Sequence, residues 1–403
     1  MTYQAPQRRI VGCKPALTIR AAGLATMVLA ILAARSCYLS LGHHAGGQSV
    51  LRPGQCPSAP MTEEDRVLLL QDHPLARKLC NMAPCDRWKL LASIPLGFNA
   101  HHPQGLLRID NRRPGAPSVI GSGEFLMTTV DPHEKMGYLI RFVSEKEHIR
   151  LVSQTAISFG EQYHPGGMDY DPRNGRVWFA VSEYHPGGTS TIVEVNPFSE
   201  PLEIREAFHL DDHIGTMMCD TGGESLHLYM IDWTTAIYCV SVRGEEAVSQ
   251  GVRLSGRYKF KPDGTSEYQD CKNLEEHFFL CAGKEGGLLG ASKPGRLAIC
   301  YANVERSVRR RDPNEIGDYD TVPFEIVKEF EAPFISPEGR LERSYRIGSV
   351  PFTYNATDFT LAENEAGEDV LLLYGVPQDR WNAHLVVLEI PLSSPPLGAL
   401  QRE

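Results

Sequence analysis

The chain has 403 residues, of which 42% are apolar and 22% charged, a composition that supports a folded body and excludes wholesale disorder. The formal net charge is −10, and from His43 onward 35 Lys/Arg face 50 Asp/Glu. A body this acidic repels phosphate backbones, which excludes nucleic acid as a partner.

Residues 1–20 form a basic arm with Arg8, Arg9, Lys14 and Arg20, and no acidic residue precedes Glu63. Residues 21–42 read as a signal peptide or signal-anchor helix. The run AAGLATMVLAILAA is uncharged and apolar, and CYLSLG extends it if Arg35 reaches the interface. The apolar run alone is shorter than the roughly 20 residues of a comfortable span. A cleaved signal and an uncleaved anchor both fit; the long leading arm and the lack of a clean A-x-A site favour the anchor. The basic flank stays in the cytosol and the rest crosses. The expected address is therefore the secretory pathway. The chain is either a single-pass membrane protein with its C-terminal domain outside the cytosol, held through residues 21–42, or a secreted protein.

Residues 43–86 read as a stalk or linker: HHAGGQSVLRPGQCPSAP lacks periodicity, and one short helix with Glu/Asp at its start follows. Eight cysteines lie beyond the apolar run: Cys56, Cys80, Cys85, Cys219, Cys239, Cys271, Cys281 and Cys300. An even number in a secretory chain permits disulfides, whose pairing spacing alone does not give, and no zinc-ribbon spacing occurs. The cluster RSVRRR (306–311) reads as a solvated loop.

From residue 87 to 395 short β-rich runs alternate with turn clusters, helped by 36 Gly and 28 Pro, and residues 396–403 form a tail. Five units recur in order. Their first runs start at His101, Tyr163, Asp212, Tyr268 and Tyr354. The second runs are EFLMTTV, RVWFAVSEY, LHLYMID, HFFLCAGK and VLLLYGV, and the third are GYLIRFV, STIVEVNP, AIYCVSV, RLAICYA and HLVVLEI. Four units have a fourth run; the fifth lacks one, while RWKLLASIPL lies spare before the first unit. The expectation is an all-β, five-bladed β-propeller closed by this N-terminal strand. Six blades is the alternative, because 85 positions separate Asp270 from Asn355.

The letters YHPGG occur twice, with His164 and His185 21 positions apart. The first leads into an inner strand, and the second sits in an outer hairpin, where Pro-Gly-Gly supplies turn geometry. His164 therefore belongs with His102 and His213 at the starts of inner strands, which converge on one channel mouth. Asp270, Asn355 and Asp358 complete that expected ring as ligand-binding residues. His102, His164 and His213 are the candidate catalytic groups, since histidine titrates near neutrality. With Asp270 they are also the candidate ligands of a divalent metal such as zinc, manganese or iron. A polar channel lining is the plainer alternative for the same residues. Glu183 and Tyr184 could reach the same face, and DCK (270–272) could pair a carboxylate with an amine. The sequon at Asn355 falls where a glycan would block the mouth. No nucleophile-elbow, P-loop or dinucleotide motif is present.

The segments YHPGGMDYD, VWFAVSEY and TIVEVNP resemble an uncharacterised family of bacterial and fungal secreted propeller-like proteins, a domain of unknown function. DHIG at Asp212 and QDCK at Gln269 are similar to later landmarks of that family. The resemblance spans Leu90 to Leu392 and implies a propeller and a secretory address, but no activity. His185 stands where that family has a different turn, which speaks against a chemical role for it. More distantly, the polar ring is similar to that of calcium-dependent lactonase and esterase propellers. Calcium prefers oxygen ligands, so a histidine-rich ring points to a softer metal or none.

Two function classes follow. The first is a hydrolase or lyase acting on a small polar molecule at the channel, with metal or proton transfer at the histidines. The second is a non-catalytic binding or scaffold propeller that receives a small molecule or a protein.

Overall fold

The computed structural model describes residues 63–112, 122–223, 225–232, 236–242, 253–259, 266–285, 293–302 and 324–392. All of them belong to one unit, Pro57–Glu403. The basic arm, the apolar segment 21–42, RSVRRR and the C-terminal tail lie outside the described residues. Among the described residues, no helix is long and apolar enough to cross a membrane.

The described body is all-β apart from two short helices and a few single turns. After strand β1 (Lys89–Pro95), a first sheet comprises β2 (His102–Arg108), β3 (Ser122–Asp131), β4 (Met136–Glu145) and β5 (His148–Ile157). The second comprises β6 (Gln162–Asp171), β7 (Arg176–Glu183), β8 (Ser190–Asn196) and β9 (Glu203–Leu210). In the third are β10 (Ile214–Asp220), β11 (Leu226–Asp232), β12 (Ala236–Val242) and β13 (Arg253–Lys259). The fourth holds β14 (Ser266–Glu275), β15 (Phe278–Glu285), β16 (Gly295–Ala302) and β17 (Phe324–Ala332). A small three-stranded sheet follows, built from β18 (Phe334–Ile335), β19 (Leu341–Glu342) and β20 (Val350–Pro351). The chain ends in β21 (Ala356–Glu363), β22 (Asp369–Val376) and β23 (His384–Pro391), to which β1 adds as the fourth strand in the order β1-β23-β22-β21.

In each four-stranded sheet, strands consecutive in the chain pair antiparallel with one another. The first strands touch one another in a ring: β2 meets β6, β6 meets β10, β10 meets β14, β14 meets β21, and β21 meets β2. This radial stacking of meanders is that of a β-propeller. It explains the residue pattern, because middle strands face a neighbouring sheet on both sides and are largely buried. VWFAVS of β7 and the whole of β11 are buried, whereas outer strands β5 and β9 alternate with solvent.

Two features of the inner strands bear on the channel. The first is backbone contact. A methyl on Gly166 would collide with the Gly215 carbonyl oxygen, and one on Gly167 would fall 2.5 Å from the Gln269 carbonyl oxygen. The glycines of the first YHPGG thus let β6 press against β10 and β14. The second YHPGG forms the β7–β8 hairpin, where Gly187 takes a φ of +71°.

The second feature is a set of buried carboxylates that receive inner-strand amides. Asp169 accepts from the N–H of Cys219 and Asn273, both at 2.9 Å. Asp270 accepts from Leu106 and Thr357, both at 3.0 Å, and Asp358 accepts from Arg108 at 2.6 Å. An innermost strand has no further strand to pair with, so these side chains supply the missing acceptors and tie one sheet to another.

Residues 63–86, expected as part of a stalk, pack onto the body instead. Helices Glu63–Gln71 and Pro74–Leu79 bury Leu69, Ala76 and Leu79 with Trp88 against the fourth sheet and the sheet of β21–β23. Glu275 accepts from the Ala76 N–H at 2.6 Å. Cys271 and Cys281, directly opposed on β14 and β15, form a disulfide; Cys56 lies outside the described residues.

Candidate functional site

A cavity of about 560 Å³ lies where the inner strands of the first and last sheets begin. Its wall is built by the segment before β2, the β3–β4 turn, the residue after β7 and the β22–β23 connection. These supply His101, His102, Asp131, His133, Tyr184, Asp379, Arg380 and Trp381.

Two histidine–carboxylate pairs meet here. His102 directs Nδ1 to Asp379 Oδ1 at 2.9 Å, and the same oxygen accepts from Asn355 Nδ2 at 2.9 Å. With Nδ1 engaged, Nε2 is the nitrogen of His102 left to meet a ligand. His101 directs Nδ1 to Asp131 Oδ2 at 3.1 Å and stacks on Tyr138, with 4.8 Å between ring centres. Burial pushes the Asp131 carboxyl up, but the N–H groups of Glu134 and His133 and the His101 imidazole outweigh it and hold the group below the usual aspartate range. Asp131 is therefore ionised at neutral pH.

The backbone beneath these pairs is unusual. His101 and Arg380 both adopt left-handed φ values, 51° and 60°. They are locked together: the Arg380 N–H donates to the His101 carbonyl at 2.7 Å, and the Ala100 N–H donates to the Arg380 carbonyl at 3.1 Å. The Thr129 hydroxyl also donates to the Ala100 carbonyl. A non-glycine residue in this region costs energy that the surrounding bonds must offset, and such residues cluster at functional sites.

His164 and His213 stand beside the cavity, behind Tyr184. The His164 ring lies 4.6 Å from Tyr184 and 5.2 Å from His213. Burial, with His213 and His102 nearby, holds the His164 imidazole well below its ordinary value, so it stays neutral. Burial also lowers His213, against the pull of its Nδ1 contact with the Glu183 carbonyl at 2.5 Å.

The sequence candidates thus divide. His164 and His213 stand together with His102 nearby, and Asn355 meets His102 through Asp379. Asn355 is wholly buried, with Nδ2 also donating to the Pro377 carbonyl at 3.1 Å, which leaves its sequon no room for a glycan in the folded state. Asp270 and Asp358 do not face this cavity; they serve the inner-strand amides. Asp270 also pairs with Lys272, as DCK suggested. Burial pushes Asp270 up to about 7, opposed by Lys272, and pushes Asp169 up to about 6. Among the described residues, no group of three or more His, Cys, Asp or Glu is placed to hold a metal ion. His185 sits in its hairpin turn, 3.1 Å from Glu183.

The arrangement can orient imidazoles, move protons and receive a small polar molecule. His101, Asp131, His133, Asp379, Arg380 and Trp381 were not among the sequence candidates. Their signals were the doubled histidine at 101–102 and the cluster DRW (379–381) after a β-rich run.

No curated protein matches the chain. Solved structures match it at low similarity. The tail fibre of Staphylococcus aureus phage P68 is 9% identical over 82% of this chain and 57% of its own, with a TM-score of 0.41. A bifunctional GH43-CE protein of Bacteroides eggerthii is 10% identical over 77% of this chain and 38% of its own, with a TM-score of 0.38. The chain therefore spans less than two thirds of either protein. Penicillium chrysogenum α-L-arabinanase is 12% identical over 75% of this chain and 98% of its own, with a TM-score of 0.38. Likeness at this level says nothing about chemistry. Residues 71–290, more than half of the sequence, match a family of unknown function, DUF6454. The chain belongs to that family.

Proposed function

We propose that this protein is an extracytoplasmic five-bladed propeller that binds a small polar molecule at its channel mouth and transfers protons to it, as a hydrolase or lyase does. The five four-stranded sheets act as blades, and β1 closes the ring by completing the last of them. The small sheet of β18, β19 and β20 is too short to serve as a sixth blade.

The observation that carries the functional reading is the His102–Asp379 pair at the cavity. A carboxylate on Nδ1 fixes the imidazole tautomer and orientation and leaves Nε2 for general base or acid work. His101–Asp131 supplies a second imidazole for a step that needs both an acid and a base. His164 and His213, buried and neutral, are assigned to shaping the wall beneath Tyr184. The non-catalytic reading keeps the cavity and dispenses with the proton transfer.

Structures of crystals soaked with small polar compounds test the site. The proposal expects a bound molecule within hydrogen-bond reach of His102 Nε2. Ligands that bind only at the opposite end of the channel would overturn it.

A further inference from the structure

The proposed site can be taken one step further by matching its hydrogen-bond donors against its acceptors. Several of the acceptors are engaged within the protein. Asp379 Oδ1 takes His102 Nδ1 and Asn355 Nδ2, and Asp131 takes His101 Nδ1 on one oxygen and the N–H groups of His133 and Glu134 on the other. Arg380 is exposed at the cavity wall, and its guanidinium contacts His133 Nε2 at 3.1 Å. Among the described residues, neither Asp131 nor Asp379 forms an ion pair with Arg380, although all three line the same cavity.

A guanidinium carries several N–H donors in a planar fork, which matches the geometry of an oxyanion. Its backbone is also prepared. Arg380 is held at φ 60° by bonds from both its N–H and its carbonyl, so the root of the side chain does not wander.

We propose that Arg380, assisted by His133, anchors an oxyanion, a carboxylate or a phosphate, on the molecule that the cavity takes. This rests on the reading of the cavity as the binding site. The molecule is then a small anionic compound whose charged group sits at Arg380 while its reacting part faces His102.

The test uses the full chain in detergent, with inorganic phosphate and acetate as probes and glycerol as the uncharged comparison, at fixed ionic strength. The rise in melting temperature with probe concentration gives an apparent Kd. The expected result is that at least one anion stabilises the wild type while glycerol does not. Arg380→Gln weakens that binding at least about tenfold, and Arg380→Lys weakens it less because it keeps the charge and loses the fork. A preference for phosphate or for acetate identifies which oxyanion the site takes. Equal anion binding in wild type and Arg380→Gln, or none in the wild type, overturns the inference. If the anions fail while a neutral compound still binds in a His102-dependent way, only this inference falls; if both fail, the proposed function falls with it.

Discussion

Asp379 holds His102 by its Nδ1 at 2.9 Å across 277 positions of sequence, and the same carboxylate oxygen holds Asn355. The first and last sheets are thereby joined at the cavity, close to where β1 completes the final sheet. His102 and Asp379, which connect the first and last sheets, also line the cavity.

Asp270 is a structural carboxylate. It binds Lys272 and two backbone amides from other sheets, and both Asp270 and Lys272 are buried. Asp270→Asn strands a buried ammonium and weakens two amide bonds, so unfolding should become easier by about 3–5 kcal/mol. The double variant Asp270→Asn/Lys272→Met should recover part of that loss. Chemical denaturation of the three proteins measures both effects.

The two YHPGG segments should respond differently to the same substitution. Gly167→Ala drives a methyl into the Gln269 carbonyl in the middle of the inner strands. Loss of soluble protein, or destabilisation beyond about 3 kcal/mol, is expected. In contrast, Gly187→Ala has open space around it and suffers only from its φ of +71°, a cost of about 1 kcal/mol. Melting temperatures of the purified variants give the ranking.

Stability should carry a histidine-dependent acid slope. Folded His164 is held well below 6.5, whereas in the unfolded chain it takes a proton at about 6.5. The unfolded state therefore binds more protons as the pH drops, so the stability that His164 contributes is present above about 6.5 and is lost below it. His213 acts in the same direction. Asp270 and Asp169, raised to about 7 and about 6, act in the opposite sense, since their folded forms keep protons that the unfolded chain has lost. The difference between wild type and His164→Gln isolates the imidazole. Between pH 6.5 and 5 the wild type should lose up to about 1.4 kcal/mol per pH unit relative to the variant. Parallel stability profiles would remove His164 from this role.

Divalent metal should be dispensable for the fold and for ligand binding. Among the described residues no group of three or more His, Cys, Asp or Glu is placed to hold a metal ion, and Asp270 is committed to Lys272. Dialysis against EDTA should leave the melting temperature within about 1 °C. A larger drop that zinc restores would revive the metal expectation for His102, His164 and His213.

Much of the sheet order was legible because the middle strands are apolar runs bounded by turns. VWFAVSEY and LHLYMID announce strands packed on both faces, and the unpaired RWKLLASIPL matched the missing strand of the last sheet. The role of the first Pro-Gly-Gly was only half legible. Its glycines look like turn residues, yet Gly166 and Gly167 lie in a strand and are glycine because another backbone passes against them. The histidine cluster followed from strand starts, a local signal. The site itself did not, since His101 finds Asp131 30 positions away and His102 finds Asp379 277 away. Such pairings exist only once the ring brings the loops together. Asp270 and Asp358 were assigned to the mouth for the same reason: a sequence shows that an inner strand carries a carboxylate, but not which amides lie across from it.

The central claim is that the cavity at His102 and Asp379 receives a small polar ligand. A binding screen of small polar compounds against wild type, His102→Gln and Asp379→Asn tests it most directly. The account predicts compounds whose affinity falls at least about tenfold in both variants while the melting temperature stays near that of the wild type, as a half-exposed pair allows. Compounds that bind all three proteins equally well would contradict it.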